Sequence, residues 1–173
     1  ALITDFVKKM GFRGIIDIDL FEIDGEQALS ISPQGLEREE YRFQNIYQSG
    51  YFLLKEDKIN VKEFQEWDMG FDFYAPQTFV DDKGRRILIG WMGIPDADYT
   101  NPTEEAGWQH ALTIPRELSV RDGKLIQEPI EELKQLRSED KAVCTFCYGQ
   151  TIIMQNAIYE AVVDFKRCRE MVM

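Results

Sequence analysis

Residues 66–78 read Glu-Trp-Asp-Met-Gly-Phe-Asp-Phe-Tyr-Ala-Pro-Gln-Thr. Two aspartates, Asp68 and Asp72, stand there among aromatic residues, beside a glycine-containing turn and just ahead of a predicted strand. Carboxylate oxygens accept hydrogen bonds from hydroxyls, and the flat apolar face of a sugar stacks on an aromatic ring. The run therefore has the chemistry of a carbohydrate site. Acidic aromatic turns more often do no more than border a core, so its weight comes from what surrounds it.

The elements that would position these groups read as short strands joined by tight turns. Leu20–Ile23 and Ala28–Ser32 form a hairpin about Asp24-Gly25, and Tyr47–Lys55 reads as a further strand. Phe73–Val80 and Arg85–Met92 pair about the turn Asp81-Asp82-Lys83-Gly84. Ala111–Ile114 is followed by Glu117–Val120 and Lys124–Gln127, joined by Asp122-Gly123. β-Branched and aromatic residues fill the strands, while Gly and Asp fill the turns. The pattern predicts an all-β chain of sandwich, barrel or propeller type, and periodicity does not choose among them. One helix is expected from Pro129 at N1 to Arg137, with Ile130, Leu133 and Leu136 on one face. A short helix is also expected over Ile3–Met10. Ser138–Lys141 reads as a charged linker, and Ala142–Cys147, Thr151–Met154 and Tyr159–Phe165 as further strands, giving a domain boundary near Ser138.

Composition sets outer limits. The 173 residues carry 31 acids against 20 bases, a net charge of −11, which argues against nucleic acid or an anionic membrane as partner. No apolar run approaches the ~20 residues of a membrane span, and residues 1–10 lack the apolar core of a signal peptide. Three cysteines, an odd number, fit a reducing compartment. Cys144-x-x-Cys147 lacks a second cysteine pair, and the single histidine, His110, is far away in sequence, so four-ligand zinc is not expected and two strand cysteines on a half-buried sheet are the better reading.

Taken in order, Ser32-Pro33-Gln34-Gly35, Gln48-Ser49-Gly50-Tyr51-Phe52, Asp72-Phe73-Tyr74-Ala75, Ile89-Gly90-Trp91-Met92 and Gly107-Trp108-Gln109-His110-Ala111-Leu112-Thr113-Ile114-Pro115-Arg116-Glu117-Leu118 resemble glycoside hydrolase family 32. That family comprises invertases, sucrose-6-phosphate hydrolases, levanases and inulinases. The resemblance covers residues 19–137 well and 138–173 weakly. It implies a partial five-bladed β-propeller, about two blades, over 1–137, and the first strands of a β-sandwich over 138–173. The Ser-Pro-Gln-Gly and Ala-Leu-Thr-Ile-Pro-Arg-Glu-Leu motifs favour fructosides over the arabinans cleaved by a related five-bladed family.

The implied chemistry is retaining cleavage of terminal β-fructofuranosyl bonds of sucrose or sucrose 6-phosphate, by two carboxylates about 5–5.5 Å apart. The family's nucleophile motif, Trp-Met-Asn-Asp-Pro-Asn-Gly, and its Arg-Asp-Pro motif do not occur in these 173 residues. In the place of the acid/base Glu of the Glu-Cys-Pro-Asp motif stands Ile16, a hydrocarbon that cannot transfer a proton. Asp17, one residue on, points to the opposite face of a strand. No catalytic residue is therefore assigned, and the chain is expected to be catalytically incomplete. The competing expectation is a non-catalytic fructosyl-binding or partner-packing remnant of the same fold.

The substrate-binding residues implied by the resemblance are Asp68, Asp72, Tyr74 and Trp91. One aspartate is expected to face the sugar and the other to cap the turn, with Tyr74 and Trp91 as the aromatic wall. Trp108 and His110 are expected to pack or hydrogen-bond between blades, Arg116 to be an ion-pair partner, and no metal or organic cofactor is implied. Arg38, Arg42, Arg85 and Arg86 are candidate phosphate ligands, although acidic neighbours suit them better to surface pairs. The expected location is cytoplasmic, and exposed blade edges are an expected surface for self-association.

Overall fold

The computed structural model describes residues 18–33, 36–54, 59–70, 72–96 and 98–137. The chain divides into two compact units, Ala1–Lys134 and Gln135–Met173, and the description below concerns the first. The expected helix over Ile3–Met10, the strands beyond Ser138 and all three cysteines lie outside the described residues, and the expected boundary falls at their edge.

Among the described residues, nine strands form two antiparallel sheets. In the first, β1 (Ile18–Ile23), β2 (Glu26–Ile31), β3 (Gly50–Leu53) and β4 (Gln65–Glu66) lie in that order. In the second, β5 (Phe73–Val80), β6 (Arg86–Met92), β8 (Arg116–Arg121) and β9 (Lys124–Pro129) follow one another, and the short β7 (Ala111–Leu112) pairs with the end of β6. The two Asp-Gly hairpins turn as their sequence demands. Asp24 and Gly25 (φ 51° and 79°) and Asp122 and Gly123 (φ 53° and 68°) take left-handed backbone at both central positions, the signature of a type I′ turn.

The expected strand over Tyr47–Lys55 is regular only over Gly50–Leu53, and β4 was not expected at all: two residues are too few to show periodicity. The expected helix is a 3-10 helix over Glu131–Leu136, while Pro129 closes β9 instead of opening the helix. Leu133 N–H donates to Ile130 O at 3.1 Å, a 3-10 bond. Glu132 is drawn towards Arg85 and Lys83 rather than along a helix face.

Alternation along the strands sorts side chains into two cores. Phe21, Ile23, Ala28, Tyr51 and Trp67 of the first sheet pack with Phe73, Leu88, Leu118 and Leu125 of the second. On the opposite face of the first sheet, Leu29, Ile31, Phe52, Leu54 and Phe64 form a separate cluster. β2 is thus apolar or small on both faces, with Trp67 Nε1 donating to the buried Ser30 hydroxyl at 3.1 Å. Burying each large side chain between the sheets contributes about 1.5–3 kcal/mol. The polar ties across the same boundary, Thr78 Oγ1 to Asp19 (3.0 Å) and Val120 N–H to Asp24 (2.7 Å), contribute about 1 kcal/mol each, so packing holds the sheets together and the hydrogen bonds fix their register.

Gly90 is the tightest point of that packing. A Cβ there would run into the ring of Phe73, which is 1% exposed.

Candidate functional site

β5 opens with Phe73, whose side chain enters the inter-sheet core; Asp72 and Tyr74, on either side of it, belong to a different environment. Asp72 is buried, and its Oδ1 accepts the main-chain N–H of Tyr47 at 2.9 Å. Tyr74 is directly opposite Trp91 on β6, with ring centroids 6.2 Å apart. Tyr47 lies against Tyr74 at 4.4 Å, and the edge of His110 meets Trp91 at 4.9 Å. Four rings, Tyr47, Tyr74, Trp91 and His110, therefore form one row with the Asp72 carboxylate at its head.

Two backbone features shape this row. The β5–β6 register shifts between Tyr74 and Gln77, where Ala75 takes φ 47°. Such a bulge re-aims the side chain beside it, and left-handed backbone at a non-glycine costs about 1–2 kcal/mol. His110 also takes φ 64°. Gly93 lets His110 and Trp91 close on each other: a Cβ there would stand 2.7 Å from both rings. Strained residues of this kind concentrate at functional sites because surrounding structure must hold them in place.

Asp68 is held otherwise. Its Oδ2 accepts from Arg116 Nη2 at 2.7 Å, and its Oδ1 accepts the Gly70 N–H at 2.9 Å. Arg116 also reaches Gln127 at 3.0 Å and stands 5.3 Å over the Phe73 ring, and Gln127 donates to Trp67 O at 2.9 Å. Asp68 thus caps its turn and ties it to β8 and β9. The structure brings Asp72, Tyr74 and Trp91 together and gives Asp68 a cationic partner apart from them.

Tyr47 and Asp96 belong to the cluster although sequence reasoning did not single them out. The Tyr47 hydroxyl donates to Asp96 Oδ2 at 2.6 Å. That bond, with burial reinforcing it, pushes the Tyr47 phenol up to about 12. Tyr47 precedes the Gln48-Ser49-Gly50 motif, which offered a local signal. Its bond to a residue 49 positions away left none.

Other candidates fall elsewhere. Trp108 is 54% exposed and follows the left-handed turn at Gly107 (φ 82°). Arg85 pairs with Asp81 at 2.7 Å and Glu132 at 3.0 Å, and Arg42 lies 3.8 Å from Glu39. Arg86 donates to Glu22 O at 3.2 Å. Arg38 is exposed. A cavity of about 350 Å³ lies on the far face of the first sheet, among Ile31, Leu36, Phe43, Phe52 and Phe64, and shares no residue with the aromatic row. Among the described residues no group of three or more His, Cys, Asp or Glu is placed to hold a metal ion.

The profile of the glycosyl hydrolases family 32 N-terminal domain matches residues 14–129. A sucrose-6-phosphate hydrolase of Bacillus subtilis is 46% identical over 153 residues, 82% of this chain and 32% of its own length. One from Staphylococcus xylosus is 50% identical over 127 residues, 71% of this chain and 25% of its own. Among solved structures, a sucrose-bound mutant of a Bombyx mori family 32 β-fructofuranosidase superposes with a TM-score of 0.61 at 38% identity, over 70% of this chain and 27% of that one. A sucrose-6-phosphate hydrolase from Lactobacillus gasseri gives 0.58 at 33% identity, over 72% of this chain and 27% of that one. The chain spans about a third or less of the length of these relatives. The two sheets are thus part of an all-β propeller domain.

Proposed function

The chain belongs to glycoside hydrolase family 32, and on that premise we propose that it is part of a β-fructofuranosidase that cleaves the terminal β-fructofuranosyl bond of sucrose or sucrose 6-phosphate with retention. The observation that carries this reading is the meeting of Asp72 with Tyr47, Tyr74 and Trp91 inside the matched region. The Tyr47 N–H fixes the Asp72 carboxylate through one oxygen, and the second oxygen is assigned to a fructosyl hydroxyl. A carboxylate held this way recognises a hydroxyl at about 1.5–3 kcal/mol, and the flanking rings supply faces for the apolar side of the sugar. Asp68, whose oxygens serve Arg116 and Gly70, is assigned to the fold.

Retaining cleavage needs a nucleophile and an acid/base. The 173 residues lack the nucleophile motif and place Ile16 where the acid/base is expected. On this reading they bind the fructosyl unit and do not turn it over alone, and Ile16 is what favours a binding remnant as the second reading. Residues 138–173 are assigned to the opening strands of a β-sandwich. Among the described residues no helix is long and apolar enough to cross a membrane, and we place the protein in the cytoplasm, which cell fractionation checks. Phe79 and Val80 on the edge strand β5 are about half exposed and offer a surface for self-association, which sedimentation reads directly.

The test is a chimera in which residues 19–137 replace the matching segment of the Bacillus subtilis relative, leaving that protein's catalytic groups in place. Hydrolysis of sucrose 6-phosphate by the folded chimera is the expected result. A folded chimera without turnover on either sugar would contradict the reading, as would turnover by the 173-residue chain alone.

A further inference from the structure

We propose that Asp96 is a positioning residue for the sugar site: through the Tyr47 hydroxyl it latches the loop after β6 onto the aromatic row and so fixes Asp72 and Tyr74. The inference rests on the reading of that row as a fructosyl-binding site. Tyr47 is where three separate segments meet. Its main-chain N–H holds Asp72 at 2.9 Å, its ring lies 4.4 Å from Tyr74, and its hydroxyl reaches Asp96 at 2.6 Å. Remove the last of these and the ring keeps its neighbours, but its hydroxyl loses its tie to the loop after β6.

The geometry makes this bond strong enough to matter. At 2.6 Å an O–H···O⁻ bond falls in the charge-assisted range, about twice as strong as a neutral one. The Tyr47 residue is 6% exposed and packed in place, whereas Asp96 stands at the exposed end of its loop, and the bond between them is part-buried. A packed tyrosine tied to an exposed carboxylate keeps the loop Gly93–Asp96 seated. That loop begins at Gly93, where Trp91 and His110 come together. One bond therefore links Tyr47, at one end of the aromatic row, to the segment that leaves Trp91. Asp96 needs no contact with the sugar to do this.

The test uses the 173-residue chain, with Asp96→Ala, Asp96→Asn and Tyr47→Phe, and two readouts. The first is phenol absorbance against pH. Asp96, Asp72 and Tyr74 face the Tyr47 hydroxyl or ring, and all of them raise its titration, so one phenol should ionise near 12 in the parent chain and move down in Asp96→Ala. The second is the dissociation constant for sucrose by titration calorimetry. Asp96→Ala and Tyr47→Phe should each weaken sucrose about tenfold, the double variant no more than either, and Asp96→Asn, whose amide oxygen still accepts, should recover most of the loss.

Unchanged sucrose affinity in Asp96→Ala, with the phenol shifted, would overturn the positioning role. An unshifted phenol would overturn the bond itself. Failure of the parent chain to bind sucrose while the phenol still responds to Asp96 would count against the fructosyl reading of the site, and would remove the positioning proposal with it while leaving the latch standing.

Discussion

The two ends of the segment from Trp67 to Tyr74 hold their aspartates differently. Asp68 gives both oxygens to protein donors, a guanidinium and a turn N–H, and through Arg116 and Gln127 it ties the turn to the second sheet. Asp72 is more deeply buried, yet among the described residues its donor is a main-chain N–H, that of Tyr47. The contrast separates a carboxylate spent on the fold from one left with capacity for a ligand. Burial alone would have ranked them the other way, since a buried carboxylate is usually the structural one.

Substitutions can break or sharpen this contrast. The largest effect is expected at Gly90, against which the Phe73 ring packs. Gly90→Ala should cost about 3 kcal/mol by pushing the Phe73 ring away from its place under Arg116, read as a fall in the urea midpoint. A smaller loss, about 2 kcal/mol, is expected for Arg116→Met, which leaves the partly buried Asp68 without its cation. Equal stability of Arg116→Met and the parent chain would dissolve the distinction between the two aspartates.

Smallest is Glu132→Gln, at a part-buried pair away from both aspartates that serves as a reference. The Arg85 and Lys83 side chains beside Glu132 hold its carboxyl at about 2, below its ordinary value of 4.5. A lowered carboxylate contributes stability that is complete above 4.5 and lost as pH falls through about 2. The Tm of the parent chain should therefore exceed that of Glu132→Gln slightly at pH 6, and the gap should close by pH 2. A gap that widened on acidification would refute the pairing.

Much of this was legible in the sequence, and the missing parts share a cause. Both Asp-Gly hairpins and the strand Phe73–Val80 follow from local signals, since turn chemistry and β-branched runs act over a few residues. That one of Asp68 and Asp72 caps the turn was also legible. Their assignment was not, because it depends on Arg116 and Tyr47, far away in the chain. β4, the Ala75 bulge and the Tyr47–Asp96 bond are likewise products of tertiary pairing. The 3-10 helix at Glu131–Leu136 carried a helical pattern, but ion pairing across to Arg85 set its geometry.

The most direct test measures kcat/KM for sucrose 6-phosphate, together with Tm, for Asp68→Asn and Asp72→Asn in the chimera that carries residues 19–137. The account predicts a crossed pattern. Asp72→Asn should lose at least about tenfold in kcat/KM at unchanged Tm, since the amide oxygen still accepts the Tyr47 N–H. Asp68→Asn should lower Tm and keep kcat/KM within about threefold of the parent chimera. The reverse pattern, with catalysis lost at Asp68 and stability lost at Asp72, would contradict it.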